Sequence, residues 1–282
     1  MKKLIERLLL FFVGLPLIIA SVFFLPQFNY LILHLELLVF TSIGILEMRA
    51  IVSKKLVVHS IPISLIVGLL IPLASFLFAV FGVRYRMITY AIAIACILVL
   101  FIEFIYSFSG KFDKSLERIA SSFILVIYPG YFVMYLSIMT VWHDAGTVLS
   151  LFFLMVFGCD SLAWFFGMLL GKNNRGIIPA SPNKSIMGFI GGYIGSILAG
   201  IIFWILFPNI FNGSILKILL LGFMTATAAI VGDIIESVFK RSTGTKDSGN
   251  IVPGRGGVLD SIDSILLAAP IYYILCEFLF GF

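Results

Sequence analysis

The sequence is poor in charged residues. Only 12% of its 282 residues are Asp, Glu, Lys or Arg, whereas soluble domains usually carry about 25%. Hydrophobic residues make up 61% of the chain and aromatic residues 15%. Such a chain has too little polar surface for a soluble globular domain, so we expect an integral membrane protein.

Cysteine and histidine are also scarce, with three of each. Cys96, Cys159 and Cys276 lie far apart inside apolar runs, which excludes a disulfide framework and a thiolate metal site. We expect these thiols to pack in the interior. The histidines lack the spacing of metal ligands, and no long hydrophilic stretch predicts a domain outside the membrane.

The apolar residues form about nine runs long enough to cross about 30 Å of hydrocarbon as helices. The sequence therefore predicts an all-α polytopic membrane protein. The expected spans are near 8–26, 28–47, 60–82, 87–108, 119–141, 147–170, 186–207, 215–237 and 258–280.

The cations predict the orientation, because Lys and Arg concentrate on the cytoplasmic side of membrane proteins. With a cytoplasmic N-terminus and nine spans, all but three of the 19 Lys and Arg residues fall on the cytoplasmic side. The three exceptions are Arg84, Arg86 and Lys217. We therefore expect the C-terminus on the opposite side. The net charge of +5 follows from this topology and predicts no nucleic-acid partner, since the cations form no dense basic patch.

Two long polar loops, near 171–185 and 238–257, then share the cytoplasmic face. They lie in the second part of the chain, and we expect a division into two parts. Residues 1–118 would form about four N-terminal membrane helices, and residues 119–282 would form the catalytic membrane helices with these loops.

Four acidic residues flank the second loop in two pairs. Asp233 and Glu236 are three residues apart, as are Asp260 and Asp263, and this spacing places each pair on one face of a helix. A charge inside a membrane is costly, so such residues normally face a polar cavity or a partner. Glu236 also precedes Lys240 by four residues, which leaves an intrahelical ion pair as the alternative for Glu236.

The segment between these pairs is cationic and rich in glycine. Hard cations such as Mg²⁺ prefer carboxylate and water oxygens, whereas Lys and Arg complement phosphate oxygens. Glycine lets backbone amides approach a phosphate closely or permits a turn that other residues cannot make. The combination predicts phosphoryl transfer at a membrane surface. The loop residues concerned are Lys240, Arg241, Gly244, Lys246, Gly249, Gly254, Arg255, Gly256 and Gly257.

The stretch SVFKRSTGTKDSGNIVPGRGGVLDSID, residues 237–263, resembles the signature of the phosphatidate cytidylyltransferases, also called CDP-diacylglycerol synthases. The matching positions are Ser237, Lys240, Arg241, Lys246, Asp247, Pro253, Gly256, Gly257, Asp260 and Asp263. A second block, CDSLAWFFGMLLGKNNRGIIPASPNKSIMGFIGG at 159–192, is similar to the upstream segment of that family. The resemblance covers the C-terminal half of the chain, and the first half matches only in being membrane spans.

The chain departs from the family pattern at three positions. Arg255 stands where the family usually has His, Ser261 where it usually has Arg, and Met187 where it usually has Glu. None of these departures touches the acidic pairs. Arg255 is expected to compensate in charge for the Arg that is missing at Ser261.

The resemblance implies that phosphatidate and CTP give CDP-diacylglycerol and pyrophosphate, with Mg²⁺ required and a second cation as a further option. It implies metal ligation by Asp233, Asp260 and Asp263 with Glu236 in support. Lys240, Arg241, Lys246 and Arg255 would bind phosphate groups, and Asp247 would orient the loop. Further substrate contacts are expected from Ser181, Lys184, Ser185, Ser237, Gly256 and Gly257. Asp160 is either a deeper member of the site or a buried structural carboxylate.

Two other functions stay open at this point. A CTP-dependent kinase of a membrane lipid alcohol would move the γ-phosphate and release CDP. An ion-coupled transporter would need acidic residues along a path through several spans, whereas here they cluster beside one loop. We expect the enzyme in the inner or plasma membrane, in contact with membrane lipids and with its loops facing the cytoplasm. The small-residue spacing of Gly188, Gly191, Gly192 and Gly195 predicts a close helix contact and, more weakly, a homodimer.

Overall fold

The computed structural model describes residues 15–110, 112–252 and 256–282, with side chains from residue 20 onward. Helices dominate these residues, and no β-strand occurs among them apart from two isolated bridges. The predicted all-α class is therefore confirmed. The helices are α1 Leu15–Phe24, α2 Gln27–Val52, α3 Ile61–Phe81, α4 Arg86–Ser107, α5 Ser115–Leu125, α6 Met134–Met139, α7 Ala145–Leu169, α8 Ile186–Leu206, α9 Ile215–Ser242 and α10 Leu259–Phe280.

Eight helical stretches in the described part of the chain are long and apolar enough to cross a membrane, with α5 to α6 counted as one stretch. Helices are expected there because hydrocarbon offers no partner for backbone N–H and C=O groups, which a helix satisfies internally. These stretches confirm the second to ninth predicted spans. The first predicted span, 8–26, lies partly outside the described residues. Helix α1 is the part of this span that the structure describes.

The packing of the helices divides the described chain into two compact units. The first unit contains residues 25–141 and 242–261, and the second contains residues 15–24, 142–241 and 262–282. The functional division predicted between residues 118 and 119 stays a prediction.

The first unit is built around α3, which packs against α2, α4 and the stretch from α5 to α6. The sequence predicted one continuous span over 119–141, but a π-helical segment, Val126–Tyr131, separates α5 from α6. Pro129 lacks the N–H that would bond to the carbonyl four residues earlier, and Phe132 N–H donates instead to Ile127 O, five residues back, at 3.4 Å. The wider turn also brings Gly130 against the backbone of Gly68, where a Cβ would lie only 2.5 Å from the Gly68 carbonyl oxygen.

In the second unit, α7 and α8 pack along the glycine stripe that the sequence singled out. A Cβ on Gly191 would lie 2.5 Å from Leu162 O, and one on Gly192 would lie 2.9 Å from Cys159 Sγ. The predicted close helix contact is therefore an intrachain contact with α7. Cys159 and Cys276 are buried here and Cys96 is half-buried in the first unit, as expected for packing residues.

Candidate active site

An ion pair in the second unit joins the first polar loop to α9. Lys184 Nζ lies 2.5 Å from Asp233 Oδ2, and the side chains are 20% and 35% exposed. Partial burial strengthens such a charge-assisted contact and keeps the two groups accessible to a ligand. The structure thus brings together a predicted substrate-binding cation and a predicted metal-binding carboxylate that are 49 residues apart in the chain.

A second ion pair lies one turn further along α9. Lys240 Nζ contacts Glu236 Oε2 in the i,i+4 arrangement, and the Glu236 side chain is fully buried. The intrahelical pair that the spacing allowed is therefore present. Removing an isolated carboxylate from water costs roughly several kcal/mol, so a buried carboxylate needs a partner of opposite charge. The metal role of Glu236 and the phosphate role of Lys240 stay predictions.

The helices α9 and α10 approach each other closely at Gly232. A Cβ on Gly232 would lie 2.6 Å from Asp263 O and 3.2 Å from Leu267 Cβ. Only a residue without a side chain fits there, and the contact places Asp233, the next residue, beside the segment that carries Asp263. The Asp263 side chain is buried, and its Oδ1 accepts a hydrogen bond from Ser264 N–H at 2.6 Å.

Asp160 on α7 reaches the same part of the second unit. Ser264 Oγ donates to Asp160 Oδ1 at 3.4 Å, and Asp160 is half-buried. The sequence left Asp160 between a site member and a structural carboxylate. This contact places Asp160 beside the segment of α10 that carries Asp263, and both predicted roles stay predictions.

The loop between α7 and α8 is held at both of its ends. Ser185 caps α8, because its Oγ accepts from Gly188 N–H at 3.0 Å, and Arg175 pairs with Ser185 in an isolated antiparallel bridge. Arg241 Nε, at the end of α9, donates to Ala180 O at 3.2 Å. Ser181 is half-buried between these points. The cap fixes the loop so that Lys184 reaches Asp233, and the substrate contacts predicted for Ser181, Ser185 and Arg241 stay predictions.

In the first unit, Asp260 shapes the loop that precedes α10. Its Oδ2 accepts hydrogen bonds from Ser248 N–H at 2.8 Å and from Gly257 N–H at 2.7 Å. Gly256 has a φ of +117°, a backbone conformation that residues other than glycine rarely adopt. A Cβ there would also lie 2.7 Å from Asp260 Oδ2. The predicted need for glycine in this loop is thus explained at Gly256 by backbone conformation and by lack of space.

The remaining predicted residues of the signature differ in exposure, and one of them lies outside the described chain. Lys246 and Asp247 are exposed, and their roles in phosphate binding and in loop orientation stay predictions. Ser237 is buried on α9. Arg255 lies outside the described residues.

Glu47 on α2 is a residue that the sequence prediction missed. Its carboxylate accepts hydrogen bonds from Val258 N–H at 3.0 Å and from Leu259 N–H at 2.7 Å, at the start of α10. The signal was present in the sequence, because Glu47 is an acidic residue in a membrane-spanning helix and such residues normally have a functional partner. Its distance of more than 200 residues from the signature concealed that partner.

Asp233 and Asp263 carry carboxylate oxygens, which are the ligands that Mg²⁺ prefers. Within the described ranges, no three His, Cys, Asp or Glu side chains form a group suited to hold a metal ion. At Gly232 the backbone of Asp263 lies against α9 next to Asp233, and metal binding by these two residues stays a prediction.

A model of the cytidylyltransferase family matches residues 5–279, which is nearly the whole chain. The chain belongs to the cytidylyltransferase family. The resemblance inferred from the two sequence blocks is confirmed at this level.

Several relatives of known name match shorter segments. The chain is 42% identical over 123 residues to a phosphatidate cytidylyltransferase of Staphylococcus haemolyticus, over 44% of this chain and 46% of the relative. It is 38% identical over 154 residues to a phosphatidate cytidylyltransferase of Helicobacter pylori, a match that covers 54% of this chain and 55% of the relative. A third phosphatidate cytidylyltransferase, from Thermotoga maritima, is 33% identical over 170 residues, which cover 58% of this chain and 62% of the relative. The matched part therefore spans about half to three fifths of each relative's length.

Proposed function

We propose that this cytidylyltransferase-family protein transfers the cytidylyl group of CTP to phosphatidate. The products are CDP-diacylglycerol and pyrophosphate. The observation that carries the proposal is the family match over residues 5–279 together with relatives named phosphatidate cytidylyltransferase. The ion pair of Lys184 with Asp233, and the packing of the Asp263 backbone against α9 beside Asp233, support it, because phosphoryl transfer depends on cations and metal-binding carboxylates held close together.

In the proposed reaction, a phosphate oxygen of phosphatidate attacks the α-phosphorus of CTP. The bond from the α-phosphorus to the oxygen that bridges to the β-phosphate breaks, and pyrophosphate leaves. Phosphatidate is already an anion, so the chain needs no strong general base. The difficulty is the approach of two anions, and fixed positive charge lowers that barrier.

The lysines of the second unit serve this need. Lys184 is held by Asp233 in a half-buried position, so its ammonium group is oriented and can turn to a triphosphate oxygen. Lys240 is buried and pairs with Glu236 on the same helix, and Arg241 anchors the first polar loop through Ala180 O. Lys246, Asp247, Gly256, Gly257 and Arg255 are proposed to complete phosphate binding and loop orientation from the signature loop.

Mg²⁺ is the proposed cofactor, with Asp233 and Asp263 as its ligands and Glu236 and Asp260 as further predicted ligands. When bound, it would supply positive charge against the triphosphate and the departing pyrophosphate. The second cation predicted from the sequence stays a proposal.

The proposal is tested with purified protein, phosphatidate in detergent micelles, CTP and Mg²⁺. Label from [α-³²P]CTP should enter the lipid and pyrophosphate should be released, and EDTA should stop both. Label from [γ-³²P]CTP should stay out of the lipid. In a parallel assay with a membrane lipid alcohol in place of phosphatidate, entry of the γ-label without the α-label would instead establish a CTP-dependent lipid kinase. No entry of either label into either acceptor would reject both functions.

The surroundings of the enzyme belong to the same proposal. We place the protein in the cell membrane, in the inner membrane where there are two, with both polar loops facing the cytoplasm, where CTP is made. A homodimer also stays a proposal, without support from the glycine stripe, which packs against α7 of the same chain. Light scattering of the detergent-solubilised protein measures the number of subunits.

A further inference from the structure

We infer that Glu47 is a positioning residue for the proposed reaction. Its buried carboxylate fixes the end of the signature loop and the first turn of α10. The link to turnover rests on the proposed function, whereas the structural role of Glu47 is tested independently of it.

Glu47 accepts hydrogen bonds from two backbone amides far away in the chain and shares a third donor, the Ser248 hydroxyl, with Asp260. Its Oε1 accepts from Val258 N–H at 3.0 Å, and its Oε2 accepts from Leu259 N–H at 2.7 Å and lies 3.1 Å from Ser248 Oγ. The residue is only 7% exposed. Three donors around one buried carboxylate form charge-assisted hydrogen bonds, which are about twice as strong as neutral ones.

A carboxylate suits this position for two physical reasons. The first N–H groups of a helix have no acceptor within the helix, and α10 begins at Leu259. The helix dipole also favours negative charge at this end. A glutamine would keep one acceptor oxygen but would turn its NH₂ group toward the remaining donors. The charge and both oxygens of Glu47 are therefore needed.

The glycines of the loop make room for this carboxylate. A Cβ on Gly249 would collide with Glu47 Oε1, and a Cβ on Gly257 would lie 2.5 Å from Glu47 Oε2. Gly249 and Gly257 are thus packed against the Glu47 carboxylate. Glycine is therefore required at 257 because a side chain would collide with Glu47, whereas at 256 it is required by the positive φ.

Glu47 and Asp260 hold the same piece of loop. Ser248 Oγ lies 3.1 Å from Glu47 Oε2 and 2.8 Å from Asp260 Oδ2, so its hydroxyl donates to one of them at a time. Gly257 N–H donates to Asp260, while the next two amides donate to Glu47. Loss of Glu47 therefore removes the acceptor of the Val258 and Leu259 amides and one of the two acceptors of the Ser248 hydroxyl. Ser248 directly follows Lys246, which is proposed to bind phosphate, and Asp247, which is proposed to orient the loop.

The test is amide hydrogen exchange of the full chain in detergent, with wild type compared with Glu47→Gln. We expect exchange at Val258 and Leu259 to accelerate at least about tenfold, since their acceptor is lost, with little change in other helices. Glu36→Gln is the matched control, because it makes the same change on the same helix three turns away. Exchange at Val258 and Leu259 in that variant should equal wild type.

Kinetics separate positioning from a general loss of folded protein. For Glu47→Gln, kcat for CDP-lipid formation should fall about 100-fold, as expected when reacting groups are misplaced by about 1 Å, and KM for CTP should rise. Loss of folded enzyme alone would lower kcat and leave KM unchanged. If Glu47→Gln does not fold, Ser248→Ala is measured instead, because it removes the hydroxyl that contacts Glu47 and Asp260. It should also lower kcat and raise KM for CTP, by smaller factors.

The outcomes are distinct. Unchanged exchange at Val258 and Leu259 overturns the inference, and so does faster exchange with wild-type kinetics. If the wild type forms no CDP-lipid, the proposed function fails, and the exchange comparison still decides whether Glu47 holds the loop.

Discussion

At the scale of single residues, two ammonium groups stand beside the carboxylates of α9. Lys184 is the more accessible of the two, and its partner Asp233 is a proposed metal ligand. In Lys184→Met we expect kcat/KM for CTP to fall about 100-fold, the size of effect seen when one charge-stabilising donor is lost. Lys184→Arg should restore part of the activity, because it keeps the charge.

Lys55→Met is the control for this change. Lys55 is exposed in the loop between α2 and α3, outside the proposed site. The steady-state constants of both variants are measured with CTP varied at saturating phosphatidate. Equal constants for Lys184→Met and Lys55→Met would rule out a role of Lys184 in binding the triphosphate.

Asp263 gives a second prediction for a single residue. Asp263→Asn keeps an oxygen that can accept from Ser264 N–H, so we expect the variant to fold. Turnover should fall at least about 100-fold, because a neutral amide is a poor ligand for Mg²⁺. Thermal unfolding in detergent checks the fold and CDP-lipid formation checks the activity, with Asp144→Asn as the control. Wild-type turnover in Asp263→Asn would remove Asp263 from the proposed metal site.

These residues also show what spacing in a sequence can predict. The Glu236–Lys240 pair follows from helical periodicity, because both residues lie on one helix. The Lys184–Asp233 pair links a loop to a helix, and no local pattern predicts which carboxylate a distant lysine meets. Glu47 is the extreme case, since its partner Leu259 is 212 residues away.

At the scale of helices, the crossing of α9 and α10 depends on Gly232. In Gly232→Ala the new methyl group would meet the backbone carbonyl of Asp263, which cannot turn aside as a side chain would. We expect destabilisation of about 1–3 kcal/mol, the usual cost of overpacking, and reduced turnover because Asp263 is displaced. Val231→Ala is the control, since Val231 is exposed on the outer surface of the same helix. If Gly232→Ala unfolds and turns over like Val231→Ala, the tight crossing is not required.

The helices themselves were largely predictable. Apolar runs long enough for a membrane leave the backbone no alternative to helix, so the second to ninth predicted spans are present with small shifts at their ends. The π-helical segment was not predicted. Hydropathy continues unchanged through it, and the close approach of Gly130 to Gly68, which the wider turn permits, is a tertiary contact.

At the scale of the whole molecule, a buried charge network ties the first unit together. Arg118 donates to both carboxylate oxygens of Glu103, at 2.7 and 2.8 Å, and His59 Nε2 lies 3.0 Å from Glu103 Oε1. Arg49 donates to the His59 carbonyl oxygen at 2.8 Å. The network joins α2, α4 and α5 through the loop that carries His59, so its protonation state affects the stability of the unit.

Burial lowers the pKa of His59 below its ordinary value of 6.5, and the nearby Arg118 charge adds to this effect, although Glu103 opposes it. The unfolded chain then binds a proton more readily than the folded chain, so stability should be lost as pH falls below about 6.5. We expect the unfolding temperature in detergent to fall more steeply between pH 7.5 and 5.5 for wild type than for His59→Gln. Parallel curves for the two proteins would contradict this.

The orientation of the chain in the membrane decides whether the proposed substrate can reach the polar loops. The distribution of cations predicts that Asn173 and Asn250 face the cytoplasm and that Asn212 faces the opposite side. All three side chains are exposed, so each suits replacement by cysteine. An impermeant maleimide should label Asn212→Cys in intact bacterial spheroplasts, and should label the other two variants only after the membrane is opened.

The native cysteines serve as the control for this experiment. Cys159 and Cys276 are buried and Cys96 is half-buried in a membrane-spanning helix, so the unmodified protein should take up little label. The reverse pattern, with Asn173→Cys and Asn250→Cys labelled from outside, would place both polar loops away from the CTP of the cytoplasm. The signature could then bind no cytoplasmic nucleotide, and the proposed function would fail together with the proposed orientation.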